Sequence, residues 1–311
     1  MQEQTKAMVL GSFAADSLAL GVHWIYNTNV IDKKFGLVET YLQPVRPTYH
    51  PTKMLGEFTH YGDQTMILLE SVSRCAGFDL DDFSRRWQSL FENYEGYMDK
   101  ATKGTLENIE SAKSPSQAGS ESDDLAGASR IAPLVYVYRD DPEKLAASAA
   151  AQTAFTHNNS QVIKSAVFFS KVTYQVLKGA SPLAAIESTE REEFNSDPFT
   201  EWIELGLQST KQGTRQAILD LGQMCETAAA FPGVIHLIAK YETDLKQALV
   251  ENVMAGGDSA ARGLIVGMVL GAHLGMDAIP QEWLTDMQAY RQIAGMLSEI
   301  DRPSVLHDKR K

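Results

Sequence analysis

Four short polar segments hold the residue types from which a catalytic or binding site could be built. Each borders or interrupts an apolar helical stretch, and in chain order they are SFAADSLALGVHWIY, THYGDQTM, FTHNNS and GGDSAARG. Their candidate site residues are Asp16, His23, Tyr61, Asp63, Thr65, His157, Asn158, Asp258 and Arg262. General acid–base chemistry needs a carboxylate or a histidine within hydrogen-bond reach of a substrate. Several residues of these segments meet that requirement.

Asp16 stands among alanine, leucine and glycine, where a carboxylate either makes a local capping contact or points into a cavity. His23 and Trp24 follow two helical turns later and could line the same cavity. Alternatively, they are core residues whose polar atoms are satisfied.

The second and third segments each allow a structural and a functional interpretation. Gly62 permits close backbone approach beside Asp63, which opens a helix either as an N-cap or as a site carboxylate. His157 and Asn158 lie between two helices, where turn-forming asparagine is the simpler interpretation.

Asp258 follows two glycines at the start of an apolar helix, with Arg262 one turn later. An aspartate at a helix start caps the helix or binds a cation. The glycines that recur every four residues beyond it, from Gly263 to Gly275, form one smooth face. We predict that another helix packs closely on that face.

Hydrophobic residues recur with helical periodicity along most of the chain. Helices are predicted over 5–21, 63–77, 78–100, 125–138, 142–155, 159–178, 182–189, 198–208, 211–229, 242–254, 259–275 and 280–298. Loops are predicted over 27–57, 113–124 and 191–198, and the first is long enough to be functional. No segment alternates as a strand does, and nothing marks a domain boundary. The sequence therefore predicts an all-α fold with a single domain over 1–311.

The composition and net charge of the chain argue against several classes of function. The 311 residues carry a net charge of −12, which argues against binding nucleic acid or an anionic membrane. The longest apolar run is too short to span a bilayer, and the N-terminus lacks the pattern of a signal peptide. Cys75 and Cys225 could pair, but we expect free core thiols. These features predict a soluble cytoplasmic protein.

Taken together, the segments resemble the ADP-ribosylglycohydrolase family, in particular its branch that includes the jellyfish J1 crystallins. The Asp16 helix is similar to the family's GD-x-LG motif, with alanines in place of its glycines. RIAPL (130–134) is similar to its R-x-x-P segment, THNN to its T-H-x-x-P turn, and GGDSAAR to its GGD-T-D-T helix start, followed by a late I-P-x-x-W. The resemblance spans Met8 to Trp283.

This resemblance implies an all-α orthogonal bundle, removal of ADP-ribose from an acceptor, and two Mg²⁺ ions held by a T-D-D-T and a D-x-D-T cluster. Here the first cluster is Gly62-Asp63-Gln64-Thr65 and the second is Asp258-Ser259-Ala260-Ala261. Only Asp63 and Asp258 keep their carboxylates, and His23 stands where the family usually has an acidic residue. Mg²⁺ prefers oxygen ligands, so we expect at most one weak Mg²⁺ at Asp63 and Asp258, or none.

We further expect Arg262 to take the space of a lost cation and to pair with Asp258, and with Asp63 if it reaches. The alternative is that Arg262 points to solvent.

The resemblance implies a hydrolase acting on a glycosidic bond of an ADP-ribosyl or related substrate, with Asp63 or Asp258 as the catalytic carboxylate. Asp16, His23, Tyr61, Thr65, His157, Asn158 and Arg262 would contact the substrate. The alternative function is that of an inactive relative, either crystallin-like or ligand-binding.

Overall fold

The computed structural model describes residues 2–302, and within that range the backbone forms helices and turns but no strand. The helices are α1 (Gln2–Leu20), α2 (Thr28–Phe35), α3 (His60–Cys75), α4 (Leu80–Phe91), α5 (Lys100–Glu110), α6 (Ala126–Ser129), α7 (Ala132–Val137), α8 (Pro142–Thr156), α9 (Ser160–Leu177), α10 (Pro182–Glu193), α11 (Phe199–Ser209), α12 (Thr214–Leu221), α13 (Thr227–Lys240), α14 (Leu245–Met254), α15 (Ser259–Leu274), α16 (Gln281–Asp286) and α17 (Tyr290–Ile300). The predicted all-α fold is confirmed.

Helix starts are set largely by short polar side chains that accept backbone N–H groups. Asp79, Asp99, Asp141 and Asp244 each cap the helix that follows them. Such a cap satisfies one of the N–H groups that a helix start leaves without a partner. These caps explain why helices begin where the sequence places an aspartate before an apolar run.

The centre of the fold is the pair α1 and α15, which pack along each other. Residues 7–20 of α1 and 259–272 of α15 are all buried. A side chain at Gly267 would place its Cβ 2.2 Å from the carbonyl oxygen of Gly11, so the two backbones touch there. As predicted, another helix packs closely on the glycine face of α15, and that helix is α1.

Several predicted boundaries are wrong. The predicted loop 27–57 contains α2, which Asn27 caps and Gly36 ends. The predicted helix 211–229 is two helices separated at Gly222, whose φ of 112° suits glycine. The second of these, α13, continues past residue 229 because it accommodates Pro232 in its interior.

Three more boundaries differ from prediction. The predicted helices 125–138 and 280–298 are each divided into two, the predicted helix 78–100 ends at Phe91, and α5 was not predicted. In the first of them, α6 ends just before Arg130 and α7 begins two residues after it. Short turns between amphipathic helices leave the apolar period almost unbroken. Periodicity alone therefore predicts one long helix where the structure has two.

Both cysteines are free thiols, as expected, but they are not core residues. Cys75 is exposed and Cys225 is half-buried. In the described part of the chain no helix has the length and apolar character that crossing a membrane requires.

Candidate active site

The segment that follows α1 and the turn that precedes α15 are held side by side by backbone hydrogen bonds. Trp24 donates its N–H to the Gly257 carbonyl at 3.0 Å, and Gly257 donates to the Ile25 carbonyl at 3.0 Å. Gly257 has a φ of 67°, which a side chain disfavours. The paired glycines thus allow the tight turn that places Asp258 beside His23.

His23 and Asp258 form the central pair of the site. His23 Nε2 lies 2.8 Å from Asp258 Oδ1, and both side chains are buried. Asp258 also caps α15 by accepting the Ala261 N–H at 3.4 Å, while its Oδ2 has no hydrogen-bond partner. Burial lowers the pKa of His23 even though Asp258 opposes the effect. The imidazole is therefore neutral at physiological pH.

Asp16 ties α1 to the start of α3. Its carboxylate accepts the Thr59 N–H at 2.7 Å and the Thr59 hydroxyl at 2.6 Å. A Cβ at Gly62 would lie 2.4 Å from Asp16 Oδ2, so glycine permits this approach. Burial raises the pKa of Asp16 to about 6, although the Thr59 hydrogen bonds oppose it. Asp16 thus makes a local contact, which was one of the two interpretations of this residue. That it contacts a substrate stays a prediction.

Asp63 lies in the first turn of α3, where Thr59 rather than Asp63 is the N-cap. Its Oδ2 accepts from Lys53 Nζ at 2.6 Å and from the Tyr94 hydroxyl. Burial raises the pKa of Asp63, and the Lys53 ammonium counteracts that rise. The cation that faces Asp63 therefore comes from the loop between α2 and α3.

Arg262 is buried, as expected, but the predicted pairing with Asp258 or Asp63 is wrong. Its Nε donates to Asn252 Oδ1 at 3.1 Å and one terminal nitrogen donates to the Gly256 carbonyl at 2.6 Å. Within residues 2–302 it forms no ion pair with a carboxylate. The side chain extends past Asp258 to the preceding turn, whose carbonyl groups have no helical partner. Burial lowers its pKa to about 10.

The predicted contacts Tyr61 and Thr65 are both buried in α3. The Tyr61 ring stands edge-on to His23 with centroids 5.6 Å apart, and its hydroxyl lies 3.4 Å from Asp124 Oδ2. Thr65 donates its hydroxyl to the Tyr61 carbonyl at 2.9 Å. Tyr61 therefore belongs to the wall around His23, whereas the Thr65 hydroxyl is engaged inside its own helix.

The two residues of the turn between α8 and α9 differ in environment. His157 is buried, and its Nδ1 lies 2.9 Å from the Thr156 hydroxyl. Burial lowers the pKa of His157 to about 3, with a further contribution from the Arg130 charge. Asn158 is exposed and donates its backbone N–H to the Ser120 carbonyl at 2.7 Å. The turn interpretation therefore suits Asn158.

A cavity of about 560 Å³ opens next to the central pair. It is lined by Gly21, His23, Trp24, Ile25, Tyr26, Asn27, Val30, Lys34, Pro47, Thr48 and Tyr49. Trp24 and Tyr49 meet at right angles with ring centroids 4.9 Å apart. The cavity thus combines aromatic faces, one ammonium group and the imidazole bonded to Asp258.

A family model described as ADP-ribosylglycohydrolase matches residues 1–309. The chain belongs to the ADP-ribosylglycohydrolase family. Crystallin J1A of Tripedalia cystophora is 24% identical over 319 residues, covering 97% of each chain. The ADP-ribosyl-[dinitrogen reductase] glycohydrolase of Rhodospirillum rubrum is 26% identical over 182 residues, covering 56% of this chain and 55% of the relative.

Among solved structures, an ADP-ribosylglycohydrolase-related protein complex matches with a TM-score of 0.75. It is 21% identical in sequence and covers 96% of this chain and 97% of that chain. At that identity the likeness concerns the fold alone.

The two-magnesium centre implied by the family does not fit the oxygen donors of this chain. Asp63 is bonded to an ammonium group and a phenol, and Asp258 to an imidazole. Ala260 and Ala261 offer no side-chain oxygen. Gln64, where the family has its second aspartate, accepts from Trp87 at 2.8 Å and from Arg130. Mg²⁺ needs several oxygen ligands in octahedral geometry, and the remaining donors are too few for two ions.

Sequence reasoning missed several polar residues of this region. They are His50, Lys53, His60, Tyr94, Asp99 and Asp124. Burial and the neighbouring carboxylates Asp258 and Asp99 raise the pKa of Asp124 well above its usual value. A signal was present for the histidines, since three of the chain's seven lie between residues 23 and 60.

Proposed function

We propose that this protein hydrolyses a glycosidic bond of an ADP-ribosyl or related substrate by carboxylate chemistry that does not need two Mg²⁺ ions. The observation that carries the proposal is the cavity beside the His23–Asp258 pair. Its aromatic side chains offer stacking faces for a nucleobase, and Lys34 offers an ammonium group for a phosphate. Family membership supports a hydrolase-like activity.

Two carboxyl groups suit the acid and base roles of glycoside hydrolysis. Asp258 Oδ2 is buried without a hydrogen-bond partner and can accept a proton from water. Burial raises the pKa of Asp124 well above its usual value, which favours the protonated form that can protonate the leaving group. One carboxyl group as acid and a second as base or nucleophile are the usual arrangement in glycosidases.

The test uses the full chain and peptides ADP-ribosylated on arginine or on serine, with release of ADP-ribose followed by chromatography. We expect hydrolysis of one of the two linkages, with a rate that added Mg²⁺ does not raise. Asp258→Asn should lower kcat by about 10²–10⁴-fold, and Lys246→Gln, a change at an ion pair with Glu39 outside the cavity, should not. Failure to release ADP-ribose from either peptide would contradict the proposal.

The second candidate is an inactive relative that binds a nucleotide-like ligand. It is favoured by the loss of oxygen ligands at Gln64, Ala260 and Ala261 and by the likeness to Crystallin J1A over nearly the whole length. Calorimetric titration with ADP-ribose separates the two candidates. Binding without hydrolysis would support the second, and Trp24→Ala should then weaken binding by about tenfold or more, since one aromatic stacking contact contributes about 1–3 kcal/mol.

A further inference from the structure

Three buried histidines meet where the loop between α2 and α3 covers the end of α1. One ring nitrogen from each of His23, His50 and His60 lies within 4.8 Å of the others. The ring centroids are separated by 5.1 Å for His23–His50, 5.7 Å for His50–His60 and 6.1 Å for His23–His60. We propose that these three histidines bind one divalent transition-metal ion of the zinc type.

The hydrogen bonding of the cluster is incomplete without a ligand. His23 Nδ1 lies 2.8 Å from His50 Nε2, so these two nitrogens share one proton. His50 Nδ1 and His60 Nδ1 are buried and have no hydrogen-bond partner, and the nearest acceptor to His60 Nε2 is Asp99 Oδ2 at 3.4 Å. A buried polar atom without a partner destabilises a fold and is uncommon in native proteins. Three neutral imidazoles that only pack together would leave His60 Nδ1 without a partner, whereas an ion bound by the cluster would satisfy it.

Carboxylates stand behind two of the three rings, as they do in many metal sites. Asp258 accepts from His23 Nε2, which leaves His23 Nδ1 to face the cluster. Asp99 Oδ2 lies 3.4 Å from His60 Nε2, which leaves His60 Nδ1 for a ligand bond. A carboxylate on the far nitrogen fixes the tautomer of a metal-bound histidine and raises its basicity. The two carboxylates also balance the charge of a divalent ion.

The donor set selects the class of ion. Imidazole nitrogen suits Zn²⁺, Cu²⁺, Ni²⁺ and Fe²⁺, whereas Mg²⁺ takes oxygen ligands. Nitrogens bound to tetrahedral Zn²⁺ at about 2.0–2.1 Å lie roughly 3.4 Å apart. The ion therefore displaces the proton shared by His23 and His50 and moves those nitrogens apart by about half an ångström. Three protein ligands leave a fourth position for water.

The site lies at one end of the cavity, because His23 belongs to both. It does not use Asp63, and Asp258 acts behind His23 rather than as a ligand. The inference is independent of the hydrolase proposal, since it concerns metal binding and not activity.

The experiment measures metal binding to the full chain without a histidine tag, after removal of metal. We expect one Zn²⁺ per chain by equilibrium dialysis, and one Co²⁺ per chain with the intense visible absorption of a tetrahedral nitrogen-ligated ion. His50→Gln and His60→Gln should each weaken Zn²⁺ binding by at least about 100-fold. Asp258→Asn, which alters only the carboxylate behind His23, should weaken it by about 10- to 100-fold.

His236→Gln is the matched control. His236 is also buried, but it is bonded to Ser209 and Thr214 away from the cluster, so this variant should bind Zn²⁺ like the unaltered chain. Less than half an equivalent of Zn²⁺ at micromolar concentration would overturn the proposal. So would binding that His50→Gln leaves intact, or binding of Mg²⁺ as tight as that of Zn²⁺. If the cluster variants do not fold, the Co²⁺ spectrum of the unaltered chain decides, because an octahedral spectrum also overturns it.

Discussion

His23 and Asp258 are 235 positions apart in the sequence and are joined by a 2.8 Å hydrogen bond between buried side chains. The pair connects the end of α1 to the start of α15 and stands beside the cavity. One carboxylate therefore caps a helix, orients an imidazole and retains an oxygen without a partner. The same residue is therefore placed to affect both the stability of the fold and the proposed activity.

Asp258→Ala should lower the free energy of unfolding by about 2–4 kcal/mol. It removes a charge-assisted hydrogen bond, which contributes about 1.5–3 kcal/mol, and an N-cap, which contributes about 1 kcal/mol. Asp258→Asn keeps an acceptor for both contacts and should cost less than half as much. Urea unfolding measures the difference, and equal losses for the two variants would mean that the contacts do not account for the stability.

Buried His157 should lower the stability of the fold as the pH drops below 6.5. His157 has a pKa near 3 in the folded protein because it is buried, whereas an unfolded histidine has a pKa near 6.5. The unfolded state therefore takes up the proton first, and each pH unit between about 6.5 and 3 costs about 1.4 kcal/mol for this residue. Asp16, with its raised pKa, acts in the opposite direction between about pH 4 and 6.

His157→Gln removes one of these titrating groups. Between pH 6 and 4, the slope of the unfolding free energy against pH should be smaller in this variant than in the unaltered chain, by about 1.4 kcal/mol per pH unit. Urea unfolding at a series of pH values provides the slopes. A slope identical to that of the unaltered chain would show that His157 titrates normally in the fold.

Gly267→Ala should destabilise the protein by about 3 kcal/mol or more, because the new Cβ would lie 2.2 Å from the Gly11 carbonyl and force α1 and α15 apart. Gly295→Ala is the matched control: Gly295 is exposed in α17 and no atom lies within 4 Å of its added Cβ. That change should stabilise by about 0.5–1 kcal/mol through helix propensity. Thermal unfolding measures the Tm of both variants. Equal shifts in Tm would contradict the prediction.

Lys53→Gln should create a weak Mg²⁺ site at Asp63. The ammonium group at 2.6 Å now neutralises that carboxylate, and its removal leaves a half-buried anion that a divalent cation can satisfy. Millimolar Mg²⁺ should therefore raise the Tm of the variant and leave that of the unaltered chain unchanged. Lys246→Gln, which removes a lysine from its ion pair with Glu39, is the control. A Mg²⁺ response in the unaltered chain would show that Lys53 does not block the site.

Much of the fold could be predicted because most helices carry an apolar face and several begin at an aspartate or a serine. The helix predicted to end at residue 229 continues as α13 through Pro232, although a proline normally disrupts a helix interior. α2 was missed because it is short and followed by a proline-rich stretch. These errors come from tertiary packing, which local pattern does not contain.

The candidate site was predicted less completely than the fold. The sequence pointed to Asp63 and Asp258, but the nearest opposite charge along the helix, Arg262, is not the partner of either. Their partners His23 and Lys53 come from loops whose path depends on the whole fold. The spacing of residues along a helix predicts which of its own side chains are neighbours. It does not predict which side chains of a distant loop pack against that helix.

The pairing of the first helix with the fifteenth has a consequence for biosynthesis. α1 ends at Leu20, and the helix that covers its apolar surface begins at Ser259. At translation rates of about 5–20 residues per second, the ribosome needs about 12–48 s to make the chain between them. During that time the nascent chain exposes the apolar surface of α1 that α15 later covers. We expect newly made chains to engage chaperones, and slow-translating conditions to increase their aggregation.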